Sequence, residues 1–367
     1  MKKKILVLSI YPAPYRLEAC KNLKDLFQAD VFFESRNGDK RDDRWFQSGD
    51  YHTLDSAEGR RLYRDFYKNL SQYDLVVLYD YGTKEGRRLI WKCRRKKIPY
   101  VVNCDGMILP RKKSFLKDLV KKWLLSKASA YLASGQHAKE YFLRYGAKEE
   151  KIHIHKFSAL HEDEILKAPT NEEEKKRLRE KLGLPLDKKI VIAVGRFIPL
   201  KRYDYLLKVW SKLDENHCLL LIGGGSEYAQ YREIINDKNL KNVILEGFHS
   251  PQELYEYYKA ADLFVHPSTY DVWGLVINEA MANGLPVVVS NTCVAGLELI
   301  KEGKNGYLFP MGEENAAIDK VSLILRDEEL QRDMSLEGIK TIQGYTVEDM
   351  AKTHMSVFER VLKEYEE

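Results

Sequence analysis

Short apolar stretches alternate with helix-forming segments along the whole 367-residue chain, and this alternation limits the fold more than any other feature. Ten stretches have the length and the β-branched content of buried strands. They lie at 5–10, 29–33, 75–79, 100–103, 130–133, 190–194, 218–222, 243–246, 263–266 and 286–290. Because strands that alternate with helices form parallel sheets covered on both faces, the sequence predicts an α/β fold. We expect two Rossmann-like, doubly wound domains that face each other across a cleft.

The segment between the two sets of strands is polar and rich in Glu and Lys, and Pro169 and Pro185 interrupt it. Such a composition is typical of a domain boundary. The chain is long enough for two domains that each bury a core. We therefore predict a first domain at 1–165, an interdomain linker at 166–188 and a second domain at 189–345.

Charge is divided unevenly between the two halves. Residues 1–160 contain 34 Lys and Arg against 19 Asp and Glu, whereas 161–367 contain 26 against 36. The overall charge of +5 therefore conceals a basic half and an acidic half. This asymmetry predicts different partners for the two domains.

Cysteine content and the N-terminus indicate the compartment. The five cysteines are scattered and form no CxxC pair, which indicates neither a zinc site nor a disulfide framework. Three lysines precede the apolar run at 5–10, but that run is too short for a signal peptide or a membrane span. The sequence predicts a cytoplasmic protein.

Two loops that follow strands of the second half have the composition of anion-binding loops. In the first, Gly195 and Arg196 follow the strand, and Lys201 comes five residues after the arginine. Both cations suit the oxygens of a diphosphate, Arg as a planar fork and Lys as a point charge. In the second, three glycines centred on Gly224 allow the backbone to approach an anion. The alternatives are a solvated loop and a tight turn, and neither loop has a dinucleotide-binding or ATPase pattern.

An apolar helix at 274–283 carries two acids. Asp271 lies just before its N-terminus, Glu279 lies about one turn inside it, and Gly284 ends it. The N-terminus offers free amides and a positive dipole to an anion. A carboxylate at Glu279 is suited to both hydroxyls of a ribose, and Asp271 to a hydroxyl of the group attached to the phosphates. The alternative is one capping acid and one solvated acid.

These motifs occur together in a recognisable order. The second half contains GR at 195–196 with Lys201, GGG at 223–225, GF at 247–248, HPS at 266–268 and D-x7-EAMA-x-GLP at 271–286. The series resembles the signature of retaining glycosyltransferases of the group 1 type (family GT4), which have the GT-B fold. Residues 346–367 are similar to the terminal helix that crosses back onto the first domain in that fold.

The resemblance implies a role for each matching residue. Arg196 and Lys201 would hold the donor diphosphate and stabilise the leaving nucleoside diphosphate, and Glu279 would bind the ribose. Asp271 would contact the donor sugar, although the family usually has the longer Glu at this position. The remaining donor contacts would come from Gly195, Gly224, Phe248, Val272, Trp273, Gly274 and Leu275.

No Asp-x-Asp sequence occurs in the chain. A diphosphate bridged by a metal ion commonly needs such acids, so we expect neither a metal nor a cofactor. The cations and the helix dipole would then supply the electrostatic stabilisation.

Three residues of the first half are further candidates. Arg16 follows the first strand and suits a phosphate or an acceptor, or is a solvated arginine at a helix start. Asp105 ends a strand where many relatives have a catalytically important histidine, so it would position donor or acceptor hydroxyls. It also reads as a turn aspartate before glycine. His137 follows another strand and is a third acceptor-side candidate.

The segment at 84–127 contains 15 Lys and Arg against three acids. Within it, apolar residues recur at helical spacing among lysines, which is typical of helices that lie on anionic membranes. The predicted membrane-surface residues are Lys112, Lys113, Lys117, Lys121, Lys122 and Trp123. Two alternatives remain: the apolar stripe packs on the sheet, or the basic face binds nucleic acid.

The resemblance and the charge pattern together predict a metal-independent hexosyltransferase. It would move a hexose or N-acetylhexosamine from a nucleotide-sugar, with UDP as the nucleotide, to a lipid-linked saccharide in bacterial surface-polysaccharide synthesis. The first domain would bind the acceptor, and the protein would lie at the inner face of the plasma membrane. The alternatives are a GT-B epimerase or phosphorylase, and a non-catalytic protein that binds membranes or nucleic acid.

Overall fold

The computed structural model describes residues 2–21, 23–36, 49–108 and 115–366. Lys112 and Lys113 therefore lie outside the described residues. The chain forms two compact units. One unit is Met1–Ala159 with Tyr345–Glu367, and the other is Leu160–Gly344.

The first unit is built on a parallel sheet whose described strands are β1 (Lys4–Ser9), β2 (Gln28–Phe33), β3 (His52–Thr53), β4 (Leu75–Leu78), β5 (Tyr100–Cys104), β6 (Ala130–Ala133) and β7 (Ile152–Ile154). Their order is β3-β2-β1-β4-β5-β6-β7. The described helices are α1 (Pro14–Lys21), α2 (Leu23–Leu26), α3 (Ala57–Lys68), α4 (Lys84–Lys96), α5 (Phe115–Leu125), α6 (Gln136–Arg144) and the last helix of the chain, α15 (Val347–Glu364).

The second unit has a parallel sheet of β8 (Lys189–Val194), β9 (His217–Ile222), β10 (Val243–Glu246), β11 (Leu263–His266), β12 (Val287–Ser290) and β13 (Gly306–Phe309). Their order is β10-β9-β8-β11-β12-β13. The helices are α7 (Glu172–Leu182), α8 (Tyr203–Trp210), α9 (Tyr228–Asp237), α10 (Pro251–Ala260), α11 (Leu275–Ala282), α12 (Val294–Leu299), α13 (Glu314–Arg326) and α14 (Glu328–Ile342).

Strand order reverses once in each sheet, between β1 and β4 and between β8 and β11. In doubly wound sheets a crevice opens at this point, beyond the carboxyl ends of the strands. Apart from Lys4 and Lys189, which begin β1 and β8, the residues of the strands beside it are buried, so these strands hold the loops that follow them in place. Lys201 and Asp271 lie in such loops, after β8 and β11.

All ten predicted strands are present, with bounds that shift by a residue or so. The prediction of two Rossmann-like α/β domains is confirmed. The structure adds β3, β7 and β13, which stand at the edges of their sheets. These edge strands have two to four residues and no long apolar run, so the pattern that marks a buried strand is absent from them.

The segment at 166–188, predicted as a linker, belongs to the second unit. Its helix α7 is charged, but two of its cations are directed inward. Lys175 Nζ and Arg179 Nη2 donate to Asp262 at 3.0 and 2.7 Å. Asp262 is only 2% exposed, so this charged helix is fixed to the unit by a buried ion-pair network.

Helix α15 is part of the first unit, although it is the last helix of the chain. Met355, Phe358 and Val361 pack into the core formed by β1, β2 and β4. His354 Nδ1 lies 3.0 Å from the Tyr79 hydroxyl, which follows β4. None of the helices described is long and apolar enough to span a bilayer.

Candidate functional site

A cluster of three charged or polar side chains lies at the carboxyl edge of the second sheet. Lys201 Nζ forms an ion pair with Asp271 Oδ2, and His266 Nε2 lies 3.0 Å from the same oxygen. Lys201 belongs to a short 3-10 turn in the loop after β8, and His266 is the last residue of β11. Two strands that meet at the switch point therefore bring the cluster together.

Burial and the neighbouring charges shift the pKa values of Asp271 and His266 in this cluster. Burial alone would raise the pKa of Asp271, but the hydrogen bond from His266 and the Lys201 charge hold it well below its usual range. Burial and then the Lys201 charge lower the pKa of His266, so the ring is neutral at pH 7 and donates Nε2–H. The sequence showed His266 only as part of a motif. Its position at the carboxyl end of a strand is the sequence feature that could have indicated its part in the site.

The glycines of the two loops that follow β8 and β9 have different structural roles. A Cβ at Gly223 would lie 2.0 Å from the carbonyl oxygen of Gly195, so glycine is required where the two loops touch. At Gly224 a Cβ would meet nothing within 4 Å, so its backbone faces open space. A Cβ at Gly195 would lie 3.9 Å from Lys201 Cε, which places this backbone beside the cluster.

The N-terminus of α11 lies next to the same cluster. Gly274 is the N-cap with φ of 101°, and a Cβ there would lie 3.5 Å from Asp271 Oδ2. Since glycine has no side chain to cap the helix, the first amides of α11, including that of Leu275, keep their capacity to bind an anion. Val272 is exposed, whereas the Trp273 indole is buried and donates to Asn278 Oδ1 at 3.0 Å. Trp273 can therefore offer a ligand its backbone but not its ring.

Glu279 lies one turn inside α11 and has a separate partner. Its Oε2 accepts a hydrogen bond from the buried Tyr258 hydroxyl at 3.1 Å. Burial raises the pKa of Glu279 to about 7, with a further contribution from Glu164. The carboxyl group is therefore poised to lose its proton near neutral pH, which makes it a strong acceptor for hydroxyl groups above that pH.

Arg196 and Phe248 are the other donor-side candidates. Arg196 is half-buried in the loop that carries Lys201, and Phe248 is exposed after β10. Both residues thus lie in loops at the carboxyl edge of the second sheet. Ligands of doubly wound sheets bind at this edge, so both residues are in a position suited to donor contacts.

One set of side chains in the described part of the chain has metal-ligand geometry. The ligand atoms of His266, Asp271 and Cys293 lie within 4.8 Å of one another. The Lys201 ammonium, however, occupies the Asp271 oxygen that faces His266. Burial also raises the pKa of Cys293, and its thiol donates to the Trp273 carbonyl, so it is not a thiolate ligand. This set does not fit a divalent cation.

The first unit has a polar cluster at its own switch point. Arg16 is 2% exposed, and its Nη2 donates to Asp105 Oδ2 at 2.6 Å. Its guanidinium carbon lies 3.7 Å from the centre of the Tyr79 ring. Arg16 is therefore not the solvated arginine that the sequence left open. Among the described residues its Nη1 has no hydrogen-bond partner.

A small cavity of about 50 Å³ adjoins Arg16 and Asp105. Asp80, which the sequence did not indicate, also lines it and accepts hydrogen bonds from Ser9 Oγ and the Ile10 amide. Burial raises the pKa of Asp80. His137 lies in the first turn of α6, outside the lining of this cavity.

The basic helix α5 presents its apolar residues to solvent. Phe115 and Leu116 are 80% and 73% exposed, and Leu119, Val120 and Trp123 are also exposed. Of the apolar side chains in α5, only Leu124 and Leu125 pack inward, so the stripe as a whole does not lie on the sheet. Lys117 and Lys122 are exposed as predicted, but Lys121 is not. Its ammonium lies over the rings of Tyr141 and Tyr145.

Helix α4 extends this exposed surface. The Arg94 guanidinium lies 4.3 Å from the centre of the Trp123 ring and donates to the Trp123 carbonyl. Trp91 is exposed, and the Arg95 guanidinium lies 5.3 Å from its ring centre. The two helices thus present two tryptophans next to cations. We call the exposed apolar residues of α5, with Trp91, Arg94 and Arg95, the α4–α5 surface.

The geometry of the second unit agrees with a family match. Residues 174–341 match the family Glycosyl transferases group 1. We call them the group 1 segment. It contains the Lys201–Asp271–His266 cluster, the glycine loop and all of α11.

Curated relatives match only part of the chain. An uncharacterized glycosyltransferase of Methanocaldococcus jannaschii is 36% identical over 156 residues, which are 41% of this chain and 40% of the relative. Poly(ribitol-phosphate) alpha-N-acetylglucosaminyltransferase of Staphylococcus aureus is 31% identical over 176 residues, 46% of this chain and 35% of the relative. The chain spans about half or less of the length of the curated relatives it matches.

Solved structures match over nearly the whole chain. Anabaena HepE in complex with UDP covers 98% of this chain and 100% of its own, with a TM-score of 0.78 and 20% identity. Sucrose-phosphate synthase from Thermosynechococcus elongatus covers 99% and 100%, with a TM-score of 0.75 and 20% identity. The likeness shows the fold: two Rossmann-like α/β units, as in GT-B glycosyltransferases.

Proposed function

We propose that the chain is a retaining GT4-type glycosyltransferase that moves a hexose or an N-acetylhexosamine from a UDP-sugar to a lipid-linked saccharide. One observation carries this proposal. The half-buried Lys201 ammonium lies beside the uncapped N-terminus of α11, at the switch point of the sheet in the group 1 segment. Such a site suits a diphosphate whose negative charge increases as its bond to the sugar breaks.

The donor would occupy the carboxyl edge of the second sheet. Arg196, Lys201 and the first amides of α11 hold the diphosphate, which then shares the Lys201 ammonium with Asp271. Glu279 accepts the ribose hydroxyls, and Tyr258 orients its carboxylate. Backbone at Gly224 and Phe248 receives the base. Asp271 contacts the donor sugar with the oxygen that His266 and Lys201 leave available.

The names of two relatives and the ligand of one solved structure support a UDP-sugar as the donor. The Staphylococcus aureus relative is named as an alpha-N-acetylglucosaminyltransferase, and a Bacillus anthracis relative, 27% identical over 193 residues, as N-acetyl-alpha-D-glucosaminyl L-malate synthase. HepE was solved with UDP. These names favour UDP and an N-acetylhexosamine for this chain.

Retention follows from attack on the face that the leaving group vacates. The leaving phosphate accepts the proton of the acceptor hydroxyl, while Lys201, Arg196 and the α11 dipole stabilise its charge. No side chain of the cluster is placed as a nucleophile in this scheme, because Asp271 is already engaged by two partners. The scheme uses no metal, in line with the poor fit of the His266–Asp271–Cys293 set.

The first unit would bind the acceptor. The cavity beside Arg16, Asp80 and Asp105 has room for about one hydroxyl group or one water molecule. Its two carboxylates accept a hydroxyl, and Arg16 Nη1 donates to one. We assign it the positioning of a saccharide hydroxyl, and we place His137 at the rim of the acceptor site.

The α4–α5 surface supports a lipid-linked acceptor and attachment to the inner face of the plasma membrane. Exposed large apolar side chains are costly in water and stable in the interfacial region of a bilayer. Two tryptophans and adjacent cations are typical of such an interface, and Lys117 and Lys122 add attraction to anionic lipids. A place in bacterial surface-polysaccharide synthesis fits these features.

We expect the double variant Phe115→Ser/Leu116→Ser to bind vesicles of phosphatidylglycerol and phosphatidylcholine at least about tenfold more weakly, because each side chain contributes about 1.5–3 kcal/mol when buried. Both side chains are exposed, so the melting temperature should not change. Co-sedimentation measures the binding. Leu323→Ser removes an exposed leucine from the second unit and is the matched control. Equal vesicle binding by wild type and the double variant would contradict membrane attachment.

An acceptor-dependent assay separates the proposed transferase from an epimerase or phosphorylase. Wild type should release one UDP per sugar transferred, and only when a lipid-linked saccharide is present. Glu279→Ala should lower kcat/KM for transfer about tenfold or more, because a charged hydrogen bond to the donor is lost. Turnover of the UDP-sugar without an acceptor would favour an epimerase. A requirement for inorganic phosphate would favour a phosphorylase.

A further inference from the structure

One cavity of the first unit is lined by residues other than those assigned to the proposed donor and acceptor sites. It is a groove of about 430 Å³ in the first unit, between the edge strand β7 and helix α15. Cations and hydroxyl groups dominate its lining. The residues that matter here are His153, Lys156, Lys352, Ser356 and Arg360, with Asp349 the one carboxylate among the lining residues.

The cations converge because of helix periodicity. Lys352, Ser356 and Arg360 are spaced four residues apart, so they lie on one face of α15 on successive turns. Lys156 follows β7, and its ammonium lies 5.6 Å from the centre of the Tyr345 ring. Two separate elements of one compact unit thus contribute cations to the same groove.

These three cations lack acidic partners within the described part of the chain. Several exposed cations of the protein are paired, as Lys181 is with Glu256 at 2.6 Å. In contrast, Lys156, Lys352 and Arg360 form no ion pair with any described carboxylate. Burial lowers the pKa of His153, and the Arg360 charge lowers it further, against an opposing contribution from Glu364.

We propose that the β7–α15 groove binds an anion of the phosphate class. Arg360 offers a planar fork, the two lysines offer ammonium groups, and Ser356 offers a hydroxyl donor, which together suit the oxygens of a phosphate. The volume exceeds that of a bare phosphate and accommodates an attached organic group. This site is separate from the proposed diphosphate site, because all of its residues belong to the first unit.

A phosphate of this kind has two sources, a lipid headgroup or a soluble phosphorylated compound. The chemistry that the groove recognises is the same for both. The experiment therefore needs one probe that is soluble and one that is a bilayer.

The soluble probe is inorganic pyrophosphate, titrated into the full chain at low ionic strength. The His153 ring reports on the groove by NMR, since a bound anion favours its charged form and raises its pKa. This local signal distinguishes the groove from any pyrophosphate bound near Lys201. We expect Lys352→Gln and Arg360→Gln each to weaken binding about tenfold, because each removes a charge-assisted hydrogen bond. Lys363→Gln, on the same helix but outside the groove, should leave binding unchanged.

The bilayer probe is a vesicle of phosphatidylglycerol and phosphatidylcholine, tested on wild type and the double variant Lys352→Gln/Arg360→Gln. Both proteins keep the α4–α5 surface, so only the groove differs. Weaker vesicle binding by the double variant would assign the groove to a lipid headgroup. Unchanged vesicle binding with lost pyrophosphate binding would assign it to a soluble compound. A His153 signal that does not respond to pyrophosphate, or equal affinity in all variants, would overturn the proposal.

Discussion

Lys201→Met is expected to lower kcat for sugar transfer by about 10²–10³-fold, with a much smaller change in the dissociation constant for the donor. The Lys201 ammonium is held beside the N-terminus of α11 by Asp271, so it needs little reorganisation as charge develops on the leaving phosphate. Its attraction is stronger in the transition state than in the ground state. Removing such an interaction lowers kcat rather than affinity.

Steady-state kinetics with a UDP-sugar and a lipid-linked acceptor measure this effect. Lys208→Met is the matched control, because Lys208 lies on the neighbouring helix α8 and pairs with Glu314 at the surface. Its kcat should equal that of wild type. A loss below about tenfold in Lys201→Met, with an unchanged melting temperature, would show that Lys201 does not stabilise the leaving group.

Asp262→Ala is expected to destabilise the second unit by about 3–5 kcal/mol, because it leaves the buried Arg179 without its counter-ion. Asp262 accepts hydrogen bonds from Lys175, Arg179 and the Ile190 amide, and so joins α7, β8 and the start of β11. Arg179 is itself only 7% exposed, so water can compensate little for the loss. The unfolding midpoint in urea should fall accordingly.

Glu256→Ala is the control for this effect. Glu256 forms an exposed ion pair with Lys181, which is worth about 0–1 kcal/mol. Lys175 and then Arg179 keep the pKa of Asp262 below its usual value despite its burial. The network's contribution should therefore be present at neutral pH and be lost as pH falls through the acidic range. A change under about 1 kcal/mol in Asp262→Ala would mean that α7 is held by its apolar contacts alone.

The ion pairs between α7 and Asp262 could not be predicted from the sequence. Helix α7 is rich in Glu and Lys, which is also the composition of a solvated linker, and nothing local marks Arg179 as buried. Their partner Asp262 lies more than 80 residues further along the chain. The central strands were predictable because burial on both faces requires continuous apolar runs.

The sequence indicates which edge of the sheet carries the candidate residues. It does not indicate which of their side chains contact one another. Arg196, Lys201 and Asp271 follow strands, and parallel strands bring their carboxyl ends to one edge. The ion pair between Lys201 and Asp271, and the hydrogen bond from His266 to the same oxygen, depend on the fold in three dimensions. In the first unit, burial of Arg16 required Asp105 and the Tyr79 ring, which come from different strands.

Glu279 gives the donor site a pH dependence that can be measured. Burial raises its pKa to about 7, so the carboxylate that accepts ribose hydroxyls is formed mainly above neutral pH. The diphosphate of a nucleotide-sugar does not titrate in this range. Donor affinity should therefore rise between about pH 6 and pH 8 in wild type and stay constant in Glu279→Ala.

Calorimetric titration of UDP-, GDP-, ADP- and dTDP-sugars, without added metal, tests the central claim most directly. We predict that wild type binds the UDP-sugars selectively and that Glu279→Ala binds them about 10 to 100 times more weakly, since a charged hydrogen bond contributes about 1.5–3 kcal/mol. Glu256→Ala should bind like wild type. If no nucleotide-sugar binds to wild type, or if Glu279→Ala binds as tightly, the second unit does not hold the donor in the way proposed.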